Sequence, residues 1–255
     1  MKHLPNALTL ANLFCGCIAI VFALHWQPFL RELNGQDFWI PGTSQIYLSG
    51  FFILLGAFFD LLDGAVARWL DEHSPIGKDL DSLVDLVTFG VAPSMILMKL
   101  LWVAFMQQKG AVDISMWVVA PAFFLACFAA LRLAKFNNAP STTSYFVGVP
   151  TPAVGLMVAS FPLVYFFNPM GVANLLINEW VIYAVIILLC WLMNCKFKFF
   201  TLKGLMKGSI KENFLPLVWV FLSIASIVIF RSLGVPIAFL LYIAFSFAMQ
   251  KKLVD

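Results

Sequence analysis

Four aspartates, Asp60, Asp63, Asp81 and Asp85, stand at the edge of two strongly apolar stretches, in the order D-LL-D-G-AV-A-R, eight residues, then G-KDL-D-SLV-D. A charged side chain at mid-membrane depth costs roughly 2.5–3.5 kcal/mol on insertion scales, and less near the interface, so it needs a compensating partner. On a helix, Asp60, Asp63, Gly64 and Ala67 lie three or four residues apart and share a face, and Gly77, Asp81 and Asp85 do the same at steps of four. The interval between Arg68 and Gly77 permits only a tight return to the same membrane surface, so the two acidic faces can meet. Four clustered carboxylates repel one another unless positive charge intervenes. Two divalent ions would balance them, and ions about 3.5–4 Å apart form a clamp suited to in-line displacement at phosphorus. An all-carboxylate donor set favours Mg²⁺ or Mn²⁺ over zinc.

Small and cationic residues extend the same picture. Gly64 and Ala67 remove bulk beside the acids, where a flat base or a pyrophosphate could approach the helix backbone. Gly77 could do so on the partner helix, or could only make the turn between spans. Arg68 offers a fixed donor fork for phosphate oxygens. Each has a plainer reading: glycine for helix packing, arginine for reaching the headgroups. It is the spacing of the whole set that points to a site.

The elements that must position these residues are membrane helices. The chain is 62% hydrophobic and 11% charged over 255 residues, with a mean hydropathy of +0.93, beyond what a soluble core requires. Apolar windows long enough to cross a hydrocarbon layer of roughly 30 Å are predicted at about 8–27, 46–69, 79–104, 114–134, 151–168, 174–195, 213–230 and 235–250. Apolar/polar alternation is absent from them, which argues against an outer-membrane barrel. With both termini cytoplasmic, that side receives Lys2, Arg68, Lys78, Arg132, Lys135, Lys196, Lys198, Lys203, Lys207, Lys211, Lys251 and Lys252, against Arg31, Lys99, Lys109 and Arg231 opposite. The acid-rich hairpin then faces the cytoplasm. Basic rims beside anionic membrane phospholipid account for the net charge of +3 without nucleic acid.

The loops carry less. Residues 28–45 read as an extracytoplasmic connection, 1–6 as an interfacial lead-in, and 196–212, where lysines interleave with aromatics, as a headgroup-lying segment or a simple stop-transfer flank. Cys15 and Cys17 do not share a helix face, and Cys127, Cys190 and Cys195 sit in other spans, so the cysteines read as small hydrophobes. His3, His25 and His73 show no ligand pattern, although His73 could touch the site. Trp26, Trp69, Trp102, Trp117 and Trp180 fall near span ends, as an aromatic belt would place them.

The run Asp60-x2-Asp63-Gly64-x2-Ala67-Arg68-x8-Gly77-x3-Asp81-x3-Asp85 matches, without a missing position, the signature of the CDP-alcohol phosphatidyltransferase family, which the chain thus resembles. The flanks KHLPNALTLANLFCGC, GKDLDSLVDLVTFGVAP, RLAKFN and VGVPTP resemble the bacterial integral-membrane branch whose acceptor is serine. The resemblance extends to about residue 160. It implies an all-α, polytopic bundle of about eight transmembrane helices in a bacterial inner membrane, a CDP-diacylglycerol donor, an L-serine acceptor, release of CMP, and a homodimer. It also implies that Asp60, Asp63 and Asp81 are metal ligands, that Asp85 is both a ligand of the second ion and the general base, that Gly64, Ala67 and Gly77 line the cytidine pocket, and that Arg68 reaches the diphosphate. The expected organisation is one membrane domain, with a catalytic part over 1–168 and C-terminal helices over 169–255.

Serine recognition asks for a cation to receive a carboxylate and an acceptor for an ammonium. Arg132, Lys135 and Asn137 at the end of the fourth span are candidates, although both cations could equally be positive-inside flanks. Thr151 could face the pocket from the stiff GVPTP segment. Asn12 and Gly16, four apart on the first helix, suit a packing face more than a binding one. Rival readings are a related enzyme using glycerol 3-phosphate, inositol phosphate or choline, and a cation-coupled transporter, which has no use for the glycine and arginine spacing.

Overall fold

The computed structural model describes residues 4–25, 28–33, 36–41, 45–70, 75–108, 115–138, 145–201 and 214–249. Eight helical rods make up the bundle: α1 (Leu4–Leu24), α2 (Ile46–Trp69), α3 (Pro75–Leu86, continued through Val87–Val91 and Ala92–Met106), α4 (Met116–Phe123 as a 3₁₀ lead-in to Phe124–Asn137), α5 (Thr151–Ala159 and Phe161–Phe167), α6 (Glu179–Asn194), α7 (Phe214–Phe230) and α8 (Gly234–Ala248). Every apolar window predicted from the sequence holds one of them. Helix α1 already begins at Leu4, so Leu4–Asn6 continue the same rod as the apolar window that follows. Pro5 is tolerated because its missing N–H falls in the first turn.

Among the described residues, five stretches are long and apolar enough to cross a membrane: Leu4–Leu24, Ile46–Trp69, Ile76–Met106, Met116–Asn137 and Leu215–Ala248. The last is 34 residues long, about 50 Å as one straight helix. It folds back instead. Arg231 takes a left-handed φ of 50°, Ser226 Oγ lies between the Ser223 and Gly234 carbonyls at 2.8 and 3.0 Å, and Trp219 Nε1 donates to the Ala238 carbonyl at 3.1 Å. The stretch is therefore an antiparallel hairpin of α7 and α8. Helices α5 and α6 are shorter, at 17 and 16 residues.

Helix α3 is the hub of the bundle. Phe89, Ile96, Leu97, Leu100 and Leu101 are fully buried against Leu125 and Ala129 of α4, Val154 and Val158 of α5, and Ile186 and Leu189 of α6. Its π-helical turn, Val87–Val91, has a local cause: Pro93 has no N–H to offer the Phe89 carbonyl, and the wider turn absorbs the missing bond. In lipid, helix association depends on close packing more than on apolar burial, which favours small residues at contacts. Gly16 meets Thr88, where an added Cβ would stand 2.5 Å from Oγ1, and Gly56 meets Asn12 and Thr88. Large apolar side chains such as Phe14, Phe58, Leu61 and Val228 point outward, as a lipid-facing surface requires.

Two small antiparallel ribbons accompany the helices. Strands β1 (Pro28–Leu33) and β2 (Gln36–Pro41) pair from Pro28↔Pro41 to Leu33↔Gln36. Strands β3 (Tyr145–Val147) and β4 (Lys198–Phe200) pair with Tyr145 opposite Phe200. Within 196–212, β4 buries both Phe199 and Phe200 in the core, while Phe197 is exposed. Residues 202–213 lie outside the described residues.

Trp69, Trp117 and Trp180 are exposed near rod ends, whereas Trp102 packs partly against the core and Trp26 lies outside the described residues. All five cysteines are free, with Cys15 buried and Cys17 exposed on opposite faces.

Candidate active site and metal centre

The acidic faces of α2 and α3 converge at one end of the bundle, with α1 packed against both helices. Each turns one face inward: Asp63 is buried and Asp60, Gly64 and Ala67 half-buried on α2, and Asp85 is buried with Gly77 and Asp81 half-buried on α3. Asp60, Asp63 and Asp81 each bring a carboxylate oxygen to within 4.8 Å of the others. Asp85, one turn beyond Asp81, is 8% exposed and lies within hydrogen-bonding reach of Asp60. Its Oδ1 has no hydrogen-bond partner.

These residues fit a hard divalent cation. The donors are oxygens alone, three of them converge, and the orphaned Oδ1 of Asp85 is the kind of buried acceptor that a cation or a proton-bearing ligand satisfies. Arg68 is exposed at the rim, its Nη1 folded over the bare face of Gly64, 3.4 Å from where a Cβ would stand.

One contributor was missed at the level of sequence. Thr9 of α1, 5% exposed, donates its hydroxyl to Asp63 Oδ2 at 2.7 Å. The available signal was a polar residue, one turn from Asn12, in an otherwise apolar span. Thr88 Oγ1 in the π-turn donates to the Asn12 carbonyl at 3.2 Å, tying α1 to the helix that carries Asp81 and Asp85. Gly16 is part of this packing node, while both polar atoms of the fully buried Asn12 side chain have no hydrogen-bond partner.

The residues considered for the acceptor separate into two groups. Arg132 is 7% exposed and donates from Nη1 to Thr151 Oγ1 at 3.0 Å. Its Nε is buried without a partner. Lys135 and Asn137 are engaged at the rim: Lys135 donates to Asn194 Oδ1 at 3.0 Å, and Asn137 donates to Ser82 Oγ at 2.8 Å while its carbonyl accepts from Lys78. They bind α4 to α6 and to α3 respectively. His73 lies outside the described residues.

The bundle of long apolar helices is consistent with a multi-pass membrane protein, and its convergent carboxylates could hold a divalent metal. The comparison with known proteins gives the family. Residues 2–194 match CDP-alcohol phosphatidyltransferase, and the chain belongs to that family of phosphatidyl-transferring enzymes. The match runs past residue 160 through the whole of α6. The chain is 30% identical over 190 residues to a CDP-diacylglycerol--serine O-phosphatidyltransferase of Bacillus subtilis (strain 168), covering 70% of this chain and 89% of that protein. Proteins of the same description from Saccharomyces cerevisiae (33% over 165 residues, 61% of this chain and 52% of that protein) and Helicobacter pylori strain J99 (33% over 156 residues, 60% and 54%) are also similar. The chain spans about half the length of these last two.

Proposed function

We propose that the protein transfers the phosphatidyl group of CDP-diacylglycerol to the hydroxyl of L-serine, giving phosphatidylserine and CMP. The observation that carries the acceptor assignment is Arg132: a buried guanidinium held by Thr151, with an Nε that has no hydrogen-bond partner. A buried cation with open donors suits an anionic group on the acceptor, and its planar fork suits a carboxylate. The descriptions of the similar proteins point the same way.

Asp60, Asp63, Asp81 and Asp85 would hold two Mg²⁺ or Mn²⁺ ions. When bound, such ions neutralise charge on the diphosphate and on departing CMP. Gly64, Ala67 and Gly77 leave room for the cytidine, and Arg68 reaches the diphosphate. Arg132, with Thr151, orients serine so that its hydroxyl oxygen meets the phosphorus bearing the diacylglycerol. The new O–P bond forms as the bond from that phosphorus to the CMP oxygen breaks. Asp85 takes the hydroxyl proton. Lys135 and Asn137 keep the acceptor rim in register through Asn194 and Ser82.

All eight rods cross the membrane in this reading, as a homodimer in a bacterial inner membrane with both termini and the acids on the cytoplasmic side. Residues 1–168 form the catalytic part. Support for the orientation comes from the basic residues, which concentrate on the side of the acidic hairpin.

Purified protein incubated with CDP-diacylglycerol, Mn²⁺ and single alcohols tests the reading through CMP release. L-Serine is expected to accelerate release far more than glycerol 3-phosphate, inositol phosphate or choline. Preference for any of these others overturns the acceptor and leaves the family intact.

A further inference from the structure

The last helix is linked to the acceptor side of the site by a hydrogen bond to the β3–β4 ribbon, whose β3 strand continues along the chain to Thr151. Tyr242 of α8 is 7% exposed, and its hydroxyl donates to the Phe200 carbonyl at 3.2 Å. Its ring stacks on Phe199 at 5.8 Å and meets Phe200 edge-on at 4.9 Å, so the hydroxyl has little freedom to point elsewhere. Phe200 ends β4 and pairs with Tyr145 of β3.

From β3 the chain passes directly into the acceptor pocket. Gly148 adopts φ +73°, and a Cβ there would strike the Met193 carbonyl, so only glycine allows this close approach to the end of α6. The Gly148 N–H donates to the Phe197 carbonyl at 3.0 Å and the Val149 N–H to the Leu192 carbonyl at 2.9 Å. Two residues later stands Thr151, fully buried, whose hydroxyl receives Arg132 Nη1.

We propose that Tyr242 is a positioning residue for the acceptor: by holding the Phe200 carbonyl, the α7–α8 hairpin fixes the β3–β4 ribbon, Thr151 and the Arg132 guanidinium where an acceptor carboxylate binds. This rests on Arg132 receiving that carboxylate. It gives the C-terminal hairpin, which lies beyond the residues shared with the family, a part in choosing the acceptor. The metal and nucleotide parts of the site, built from α1, α2 and α3, make no use of this path.

Tyr242→Phe keeps the aromatic packing and removes only the hydroxyl. In the full-length purified protein it is expected to raise the KM for L-serine about 5–10-fold, the effect of one lost hydrogen bond, with kcat and the KM for CDP-diacylglycerol within twofold of the original. Thr151→Val acts on the same path, so the double variant should raise the serine KM by less than the product of the single effects. Tyr242→p-aminophenylalanine, which keeps the ring and places an N–H donor at the same reach, should recover most of the loss. If Arg132→Ala leaves the serine KM unchanged, the acceptor reading beneath the proposal falls. If Arg132→Ala raises it while Tyr242→Phe leaves it unchanged, or shifts kcat and both KM values alike, the positioning role is refuted. Should Tyr242→Phe fail to fold, the comparison passes to the p-aminophenylalanine variant, where a serine KM that rises as far as in Thr151→Val has the same refuting force.

Discussion

Replacing Thr9 by valine removes one hydroxyl from the edge of the acidic site and little else. Thr9 is 5% exposed and sits on α1 against α2, where valine has nearly the same shape, so the helix contact should persist. What disappears is the hydroxyl's 2.7 Å donation to Asp63 Oδ2, the nearer of its two acceptors, the other being the Pro5 carbonyl of its own helix at 3.0 Å. A hydrogen bond to a charged group contributes about 1.5–3 kcal/mol, and groups that orient a metal ligand typically account for about 10–100-fold in metal affinity. The Mn²⁺ concentration for half-maximal CMP release is therefore expected to rise about 10–100-fold in Thr9→Val. Direct Mn²⁺ binding, followed by electron paramagnetic resonance without donor or acceptor, should weaken in parallel. Thr9→Ser, which keeps the hydroxyl, should lie near the original. An unchanged Mn²⁺ requirement in a folded Thr9→Val protein would show that Thr9 only packs, and that Asp63 is oriented by other means.

Other consequences can be checked with the same preparation. Chelation should abolish CMP release and Mg²⁺ or Mn²⁺ restore it, and Asp81→Asn should lose activity while still fractionating with membranes; near-normal turnover of that variant in metal-free buffer contradicts the metal assignment. Asp85→Asn is expected to lower turnover by roughly 10²–10⁴-fold if it is the general base. A chiral, isotopically labelled donor should give phosphatidylserine inverted at phosphorus, whereas retention or a lipid adduct on Asp85 points to a covalent route. Gly16→Ala should destabilise by about 1–3 kcal/mol, because the added Cβ would stand 2.5 Å from Thr88 Oγ1 and 3.0 Å from Thr88 Cα; an undiminished melting temperature in detergent means that α1 can shift to accept it.

Much of the bundle was legible from residue order because lipid imposes a simple rule: backbone polar groups must be satisfied within the rod, so a long apolar run is a helix. The eight windows and the acidic hairpin follow from that rule and from helical spacing. The ribbons were less legible. The sequence Asn34–Gly35 between β1 and β2 is a strong hairpin signal, overlooked beside the helical pattern, while β3 and β4 are three residues each and more than fifty apart, too short for periodicity to reveal.

The sequence alone determined what is local. Spacings of three and four put Asp60 with Asp63 and Asp81 with Asp85 on single helix faces, and the tight interval between the helices required those faces to share one end of the membrane. Relations across elements awaited the tertiary structure. Whether Thr9 reaches Asp63, whether Arg132 turns inward while Lys135 and Asn137 hold the rim, and whether Tyr242 reaches Phe200 depend on how rods rotate about their axes and how closely they approach. Those are set by contacts such as Gly16 on Thr88 and Gly148 on Met193, between residues 72 and 45 positions apart, as the differences 88 − 16 and 193 − 148 give. A helical repeat fixes which residues share a face; only packing decides what that face meets.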